Sequence, residues 1–160
     1  MTILVEKLTS ELFKPFGEVL EAPTSSGRAY FDGALANLRH NASPSMSLVA
    51  VAPAQGDQIS VTKMERHQYS SQTFIPMDVD KWLVIVAPPE PSGAPNPKGA
   101  RAFVASRKEG ITYRAGVWHC PLTVLNRSAQ FAIFMWLERS ASDEEFIQLS
   151  VPFTVDRRPQ

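Results

Sequence analysis

Six apolar residues follow one another without a break from Trp82 to Ala87. Asp78 to Asp80 form a turn before them, so the run predicts a strand that is apolar on both faces. Phe131 to Leu137 predicts a second strand of this kind. In an antiparallel sheet one such face lies inside the barrel and the other must also be covered. Little helix is predicted to cover it, so we expect a partner subunit and therefore a homodimer.

Turn-forming residues divide the rest of the chain into similar short segments. Short strands are predicted over residues 17–21, 46–52, 59–67, 73–77, 82–87, 100–105, 122–125, 131–137 and 147–155. About nine or ten short strands with little helix predict an all-β protein, built as a barrel or a sandwich.

Two short helices interrupt this pattern of strands. Thr9 is placed to cap a helix over residues 10–14. Ser142 and Glu145 have the spacing of a capping box, which predicts the start of a second short helix there.

Residues 88–99 hold five of the 13 prolines of the chain. This composition predicts an extended, exposed loop within the domain rather than a linker between domains. Loop entropy changes slowly with length, so we expect the loop to tolerate shortening with little loss of stability.

Length and charge limit the partners of the protein. The 160 residues fit one domain, 1–160, with its own core. With 16 basic and 16 acidic residues the net charge is zero, which argues against nucleic-acid or membrane-surface binding because both need a basic excess. No signal peptide or membrane-spanning run is visible. The single cysteine, Cys120, excludes an intramolecular disulfide and predicts a cytoplasmic location.

The segment Tyr113–Leu122 gathers the side chains best suited to chemistry around His119. Gly116 lies three residues before His119 and allows a sharp turn, while Pro121 prevents a helix from continuing after it. These signals place His119 at the end of a strand. An imidazole in that position binds a metal or transfers a proton.

A second group of polar residues lies about fifty residues earlier in the chain. Glu65 and His67 are two positions apart on a predicted strand, so their side chains point to the same side of the sheet. Lys63 shares that face, as a substrate contact or as a salt-bridge partner. Gln72 follows His67 by five residues. Two imidazoles and one carboxylate from this set and His119 are able to hold a divalent cation.

The remaining polar residues have simpler explanations. Arg114 lies beside the predicted turn and is a candidate substrate anchor, and Tyr113 is either a hydrogen-bond donor or a packed rim residue. Cys120 is expected to be a small core residue. His40 is expected to be solvated, and Arg66 faces away from Glu65 and His67 as a surface charge.

The polar groups occur in a recognisable order. Glu65-x-His67, then Gln72, then Arg114-x-Gly116-x-x-His119 resembles the metal signature of the cupin barrels, with Glu65 at a usual His position and Gln72 at a usual Glu position. Two longer motifs resemble those of the ureidoglycolate lyase family: Met64-Glu65-Arg66-His67-x4-Gln72-x-Phe74-Ile75-Pro76-Met77 and Tyr113-Arg114-x-Gly116-Val117-Trp118-His119-x-Pro121-Leu122. The start of the chain and the strand over 82–87 agree as well, so the likeness covers nearly all of it.

This resemblance implies a cupin-type double-stranded β-helix, a jelly-roll barrel with a few short helices. It implies cleavage of (S)-ureidoglycolate to glyoxylate and urea, late in allantoin breakdown and purine nitrogen catabolism. His119, His67 and Glu65 would be catalytic and would hold a divalent metal, nickel by resemblance, with no organic cofactor. Arg114, Tyr113, Gln72 and Lys63 would contact the substrate.

Two other functions fit the same barrel. One is an isomerase or epimerase acting on a sugar or a keto acid, which would need a different polar lining. The other is a non-catalytic small-molecule sensor, which is disfavoured because no DNA-binding helix pair accompanies the barrel.

Overall fold

The computed structural model describes residues 1–157. Its strands are β1 Thr2–Lys7, β2 Gly17–Glu21, β3 Ser43–Val51, β4 Gln58–Arg66, β5 Gln72–Asp78, β6 Lys81–Ala87, β7 Arg101–Ser106, β8 Glu109–Tyr113, β9 Trp118–His119, β10 Thr123–Leu125, β11 Ala129–Leu137 and β12 Glu145–Asp156. Helix α1 spans Ser10–Phe13, and two short 3-10 helices span Pro97–Gly99 and Ala141–Asp143. No helix within residues 1–157 is long and apolar enough to cross a membrane.

The strands form two sheets. Five strands pair antiparallel in the order β2-β8-β5-β11-β3. The other seven follow the order β10-β6-β7-β1-β12-β4-β9, and β9 pairs with β6 as well as with β4. This extra pairing closes six of the strands into a ring, and β10 pairs with the start of β6 along the same edge that β9 uses at its end. The all-β fold and the cupin-type barrel expected from the sequence are confirmed.

Two apolar cores follow from this arrangement. The first lies between the two sheets and contains Phe13, Trp82, Phe103 and Phe131. The second takes buried or partly buried side chains from all six strands of the ring: Ile3, Met64, Ile85, Ala102, Trp118 and Phe153. Because strand side chains alternate, β6 contributes Trp82, Val84 and Val86 to the first core and Leu83, Ile85 and Ala87 to the second.

Both faces of β6 are therefore covered within one chain, and the sequence-based argument that this strand needs a partner subunit is wrong. The argument still applies to β11. Its outer face joins those of β3 and β5, where four large apolar side chains are exposed: Met46, Leu48, Ile75 and Met77.

The first predicted helix is confirmed in place and in cap. The Thr9 hydroxyl accepts a hydrogen bond from the Leu12 N–H at 3.2 Å, and the helix ends at Phe13. Gly17 then starts β2 against β8. A side chain is excluded there because a Cβ atom on Gly17 would lie 1.9 Å from the Thr112 carbonyl oxygen.

The second predicted helix start is wrong by two residues. The capping box is formed by Ser140 and Asp143, and not by Ser142 and Glu145. The Ser140 hydroxyl accepts from the Ser142 N–H at 3.3 Å, while the Asp143 carboxylate accepts from the Ser140 N–H at 3.0 Å. Both spacings occur in the sequence, and only the earlier one begins a turn.

The proline-rich segment 88–99 is a loop, as the sequence predicted, and residues 89–92 are exposed, but its middle is anchored to the barrel. The carbonyl oxygen of Gly93 accepts hydrogen bonds from Trp118 Nε1 at 2.9 Å and from an Arg66 guanidinium nitrogen at 3.3 Å. Pro95 is buried. Deleting this part of the loop would leave the buried indole N–H without its acceptor, so shortening there costs more than loop entropy alone.

Candidate active site

Three candidate residues meet where β4 and β9 pair. Glu65 lies directly opposite His119 in the register of the two antiparallel strands, and His67 follows the end of β4. Glu65 Oε1 lies 3.4 Å from His119 Nε2. One ligand atom from each of Glu65, His67 and His119 lies within 4.8 Å of the other two. The residues that the sequence placed on one face are therefore brought together with the late histidine.

Backbone carbonyls fix the orientation of both imidazole rings. His67 Nδ1 lies 2.8 Å from the carbonyl oxygen of Asp143, and His119 Nδ1 lies 2.9 Å from that of Val117. A carbonyl only accepts hydrogen bonds, so each Nδ1 carries a proton. Both Nε2 atoms are buried without a hydrogen-bond partner among the described residues. The 3.4 Å contact between Glu65 and His119 Nε2 lies outside the geometry of an aligned hydrogen bond.

A glycine turn holds the segment of His119 against His67. Gly116 has a φ of 80°, a conformation that favours glycine, and its N–H donates to the His67 carbonyl oxygen at 2.9 Å. The Val117 N–H donates to the Arg114 carbonyl oxygen at 3.3 Å across the same turn. The glycine singled out in the sequence therefore links the two histidine segments through their backbones.

Two further predicted residues line the same place from the five-stranded sheet. Gln72 on β5 lies opposite Tyr113 on β8, and the Tyr113 ring stacks on that of His119. The Gln72 amide nitrogen lies 3.8 Å from the Met135 sulfur. Gln72 Oε1 is buried without a hydrogen-bond partner among residues 1–157. Like the two imidazole Nε2 atoms, it is a buried polar atom left available for a bound group.

Burial and the neighbouring charges set the protonation of the site. Burial alone raises the pKa of the Glu65 carboxyl, but the contact with His119 and the charges of the two histidines and Lys63 outweigh it, so that this pKa lies below its ordinary value. Burial and the charge of His119 lower the pKa of His67, although the Asp143 carbonyl opposes them. At neutral pH Glu65 is a carboxylate and His67 is a neutral ligand.

The environment of Tyr113 and Cys120 keeps both of them protonated. Burial, followed by the nearby Cys120 and Glu65, raises the pKa of the Tyr113 phenol well above its ordinary value. Burial, followed by Glu65, raises the pKa of the Cys120 thiol to about 12. The thiol is therefore a poor nucleophile at neutral pH and packs in the second core.

The other predicted residues lie further out. Lys63 is exposed, and its ammonium lies 5.1 Å from the centre of the Phe146 ring. Arg114 is also exposed, and its guanidinium donates to the Gly33 carbonyl oxygen at 2.8 Å. Arg66 turns away from the site, as expected, but is mostly covered because it lies 4.4 Å from the centre of the Trp118 ring.

Sequence reasoning missed Asp143 and Met135 and gave no role in the site to Arg39. Asp143 supplies the carbonyl that holds His67, and Arg39 binds the Asp143 carboxylate at 2.7 Å. The Ser140-x-x-Asp143 spacing was a visible signal for the turn. Nothing in the sequence signalled that the turn would reach His67, because the two are 76 residues apart.

The residues present fit a divalent cation. Nitrogen and oxygen ligands lie about 2.0–2.2 Å from a transition metal such as zinc, so ligand atoms on opposite sides of an ion are about 4.2 Å apart. The ligand atoms of Glu65, His67 and His119, the candidate triad, lie within 4.8 Å of one another, which is close to that span. Two imidazoles and one carboxylate suit zinc, nickel, copper or iron better than magnesium or calcium. The unpaired Nε2 atoms are otherwise unexplained buried polar groups.

A jelly-roll barrel with two histidines and a carboxylate converging at its strand ends defines a cupin. Its fold is similar to that of a solved dTDP sugar isomerase from Desulfovibrio desulfuricans G20, with a TM-score of 0.51 over 85% of this chain and 84% of that one. Their sequences are 13% identical, so this likeness concerns the fold alone. Within the cupins the chain belongs to the ureidoglycolate lyase family, whose model matches residues 1–156.

Relatives from distant organisms agree with this family. A putative ureidoglycolate lyase of Agrobacterium fabrum is 32% identical over 155 residues, which cover 97% of this chain and 95% of that protein. A ureidoglycolate lyase of Azotobacter vinelandii is 33% identical over 89% of this chain and 90% of its own length. One from Schizosaccharomyces pombe is 32% identical, with 91% and 90% covered. The similarity therefore extends over whole proteins and not over a shared fragment.

Proposed function

We propose that this protein is a ureidoglycolate lyase that cleaves (S)-ureidoglycolate to glyoxylate and urea. The observation that carries the proposal is the cluster of Glu65, His67 and His119, in which two buried imidazole Nε2 atoms without hydrogen-bond partners among the described residues lie beside a carboxylate. Family membership supports the substrate, because the relatives that match nearly the whole chain carry that name.

The reaction moves one proton between two atoms of the same carbon. That carbon carries a hydroxyl group and the ureido nitrogen. As the carbonyl of glyoxylate forms, the hydroxyl loses its proton, the carbon–nitrogen bond breaks, and the bonding electrons leave with the nitrogen of urea. A base must take the first proton and an acid must supply the second.

Glu65 is suited to both proton transfers. Its pKa is lowered, so it is ionised and able to accept the hydroxyl proton at neutral pH. The hydroxyl oxygen and the ureido nitrogen are bonded to the same carbon, so the carboxyl group that takes the proton from the oxygen can return it to the departing nitrogen. One of its oxygens faces His119, which leaves the other for this transfer.

His67 and His119, together with Glu65, are the residues that would hold a divalent metal, nickel in our proposal. A bound cation would stabilise the negative charge that develops on the hydroxyl oxygen. Tyr113 keeps the His119 ring in place by stacking, and the free oxygen of Gln72 is an acceptor for the N–H groups of the ureido moiety.

The substrate carboxylate requires a positive partner. Arg114 is the candidate, because its guanidinium has five donors and the Gly33 carbonyl engages one of them. Lys63 is a second candidate at the exposed rim, where its charge already influences Glu65. We propose that both residues contact the substrate carboxylate.

We further propose that residues 1–160 act as one domain and that two copies form a homodimer. The site takes residues from both sheets, which supports a single functional unit. The exposed apolar face of β3, β5 and β11 supports pairing with a second copy. A place in allantoin breakdown follows from the proposed substrate, and a cytoplasmic location remains the prediction from the unpaired cysteine.

Incubation of the purified protein with racemic ureidoglycolate tests the activity. Glyoxylate and urea should appear in equal amounts until half of the substrate is consumed, because one enantiomer reacts. A protein freshly loaded with Ni²⁺ and a chelator-treated sample should be compared. If the folded, metal-loaded protein releases no urea, the proposal is wrong, and the isomerase and sensor alternatives would then be tested with nucleotide sugars and keto acids.

A further inference from the structure

The backbone carbonyl group that binds His67 belongs to Asp143, and three hydrogen-bond donors hold the carboxylate of this residue. Asp143 ends the 3-10 helix Ala141–Asp143, and its carboxylate accepts hydrogen bonds from the N–H groups of Glu138 and Ser140 at 2.9 and 3.0 Å. Arg39 donates to the same carboxylate at 2.7 Å. The turn between β11 and β12 is therefore locked at the residue whose backbone reaches His67.

Arg39 reaches this turn from the segment between β2 and β3. Its side chain is 10% exposed, and it also donates to the Trp136 carbonyl oxygen at 3.2 Å and to Glu138 at 3.3 Å. These contacts bury a guanidinium group against one turn, 104 residues away in sequence from Asp143. A charged pair of this kind is costly to bury, so it fits a role in fixing geometry better than a role in adding stability.

We propose that Asp143, clamped by Arg39, is a positioning residue for His67: its carbonyl holds the imidazole proton on Nδ1 and so presents the Nε2 lone pair to Glu65 and His119. A neutral imidazole has two tautomers, and the hydrogen bond made by one nitrogen decides the state of the other. With the proton on Nε2, His67 cannot act as a ligand there. The inference depends on the proposed place of His67 in the site but not on the identity of the substrate.

The tautomer is directly measurable. Long-range ¹H–¹⁵N spectra of the chelator-treated full chain at neutral pH distinguish a protonated Nδ1 from a protonated Nε2, and His67→Gln assigns the signals. The wild-type protein should show His67 protonated on Nδ1. Arg39→Met and Asp143→Ala should show a mixture of tautomers, and Arg39→Lys should lie between them and the wild type.

Titration with Ni²⁺ by calorimetry provides the second measurement. Loss of a group that orients a ligating histidine typically weakens metal binding about 10- to 100-fold, and this is the loss expected for Arg39→Met. Arg101→Met is the matched control. Arg101 donates hydrogen bonds to Glu6 from two nitrogens, at 3.0 and 2.7 Å, and this pair is not part of the site. It should leave both the tautomer and the Ni²⁺ affinity unchanged.

Two results would overturn the proposal. One is a wild-type His67 that carries its proton on Nε2, which does not depend on Arg39→Met or Asp143→Ala folding. The other is a folded Arg39→Met protein with wild-type tautomer and Ni²⁺ affinity. Neither measurement uses ureidoglycolate, so a failure of the proposed reaction would be seen separately from a failure of this inference.

Discussion

The rings of Tyr113 and His119 are stacked, with centroids 4.1 Å apart and planes inclined by 17°. Tyr113 is buried in the core between the sheets, and His119 is 1% exposed. The ring of Tyr113 thus forms one wall of the pocket around the imidazole. The Val117 carbonyl binds Nδ1 of the His119 ring, and its Nε2 lies 3.4 Å from Glu65.

Substitutions of Tyr113 should separate its ring from its hydroxyl group. Tyr113→Phe keeps the stack and should change the free energy of unfolding by less than about 1.5 kcal/mol. Tyr113→Ala removes the ring that forms the wall. It should lower the free energy of unfolding by about 3–5 kcal/mol and should reduce turnover more than Tyr113→Phe does. Urea unfolding and steady-state kinetics measure both. Equal loss of stability in the two variants would show that the hydroxyl, rather than the ring, is what matters.

His119→Ala should lower turnover by about two orders of magnitude or more, because it removes a ligand or proton carrier from the centre of the site. The matched control is His40→Ala, since His40 is exposed and should leave kcat unchanged. Circular dichroism checks that both variants fold. Near-normal turnover in folded His119→Ala would remove His119 from the mechanism.

Gln72→Glu should tighten divalent-metal binding, because it places a second carboxylate at a buried position beside His67. The same change should destabilise the metal-free protein, since the new carboxylate is desolvated close to Glu65. The increase in Tm on adding Ni²⁺ should therefore be larger than in the wild type. Gln72→Met controls for the loss of the amide, and an equal Ni²⁺ response in all three proteins would contradict the prediction.

Asp143→Asn should destabilise the protein by about 1–3 kcal/mol at pH 7, because buried donors lose a charged acceptor. Burial alone raises the pKa of Asp143, but the Glu138 N–H and the Arg39 guanidinium outweigh it and the pKa is lowered. A lowered native pKa gives stability that is present above the unfolded value of about 3.9 and is lost as the pH falls through the native value.

The stability gap between wild type and Asp143→Asn should therefore narrow in acid. Urea unfolding of the chelator-treated proteins at pH 7 and near pH 3 measures it. Asp78→Asn is a control because the Asp78–Arg127 pair is exposed and contributes little. A gap that stays constant with pH would show that the charge of Asp143 is not what stabilises the turn.

Leu48→Asp should convert a dimer into a monomer. Leu48 is 70% exposed on β3, the edge strand of the apolar face, and lies opposite Ala132 in the sheet register. A carboxylate there would have to be desolvated in an interface but stays in water in a monomer. The mass measured by light scattering should be twice the chain mass for the wild type and 17.7 kDa for Leu48→Asp. A wild-type monomer at micromolar concentration would rule out the dimer, and Tyr30→Asp controls for added charge elsewhere.

The sequence predicted most strands because their apolar patterns and turn residues are local signals. It predicted β6 correctly but misjudged what covers it. The second core exists because β9, only two residues long, pairs with both β4 and β6. No local pattern shows that such a short strand closes a ring, since ring closure depends on pairings between residues far apart in the chain.

The cluster of Glu65, His67 and His119 could also be predicted in part, because local signals place its residues. Alternation along a strand put Glu65 and His67 on one face, and the turn at Gly116 placed His119 at a strand end. The orientation of each imidazole could not be predicted, because it depends on backbone carbonyls. The Asp143 carbonyl is held in place by Arg39, and no periodicity connects these two residues with His67.

Strand β1 also has a consequence for how the chain folds. It lies parallel to β12 on one side and to β7 on the other, with Thr2 opposite Thr154 and Val5 opposite Ala102. The edge of β1 that faces β12 therefore stays unpaired until β12 has been made. Pairing with β7 is possible once residues 101–106 have been made, but the ring closes only after residues 154–156 follow, which makes ring closure a late, slow event dominated by non-local contacts.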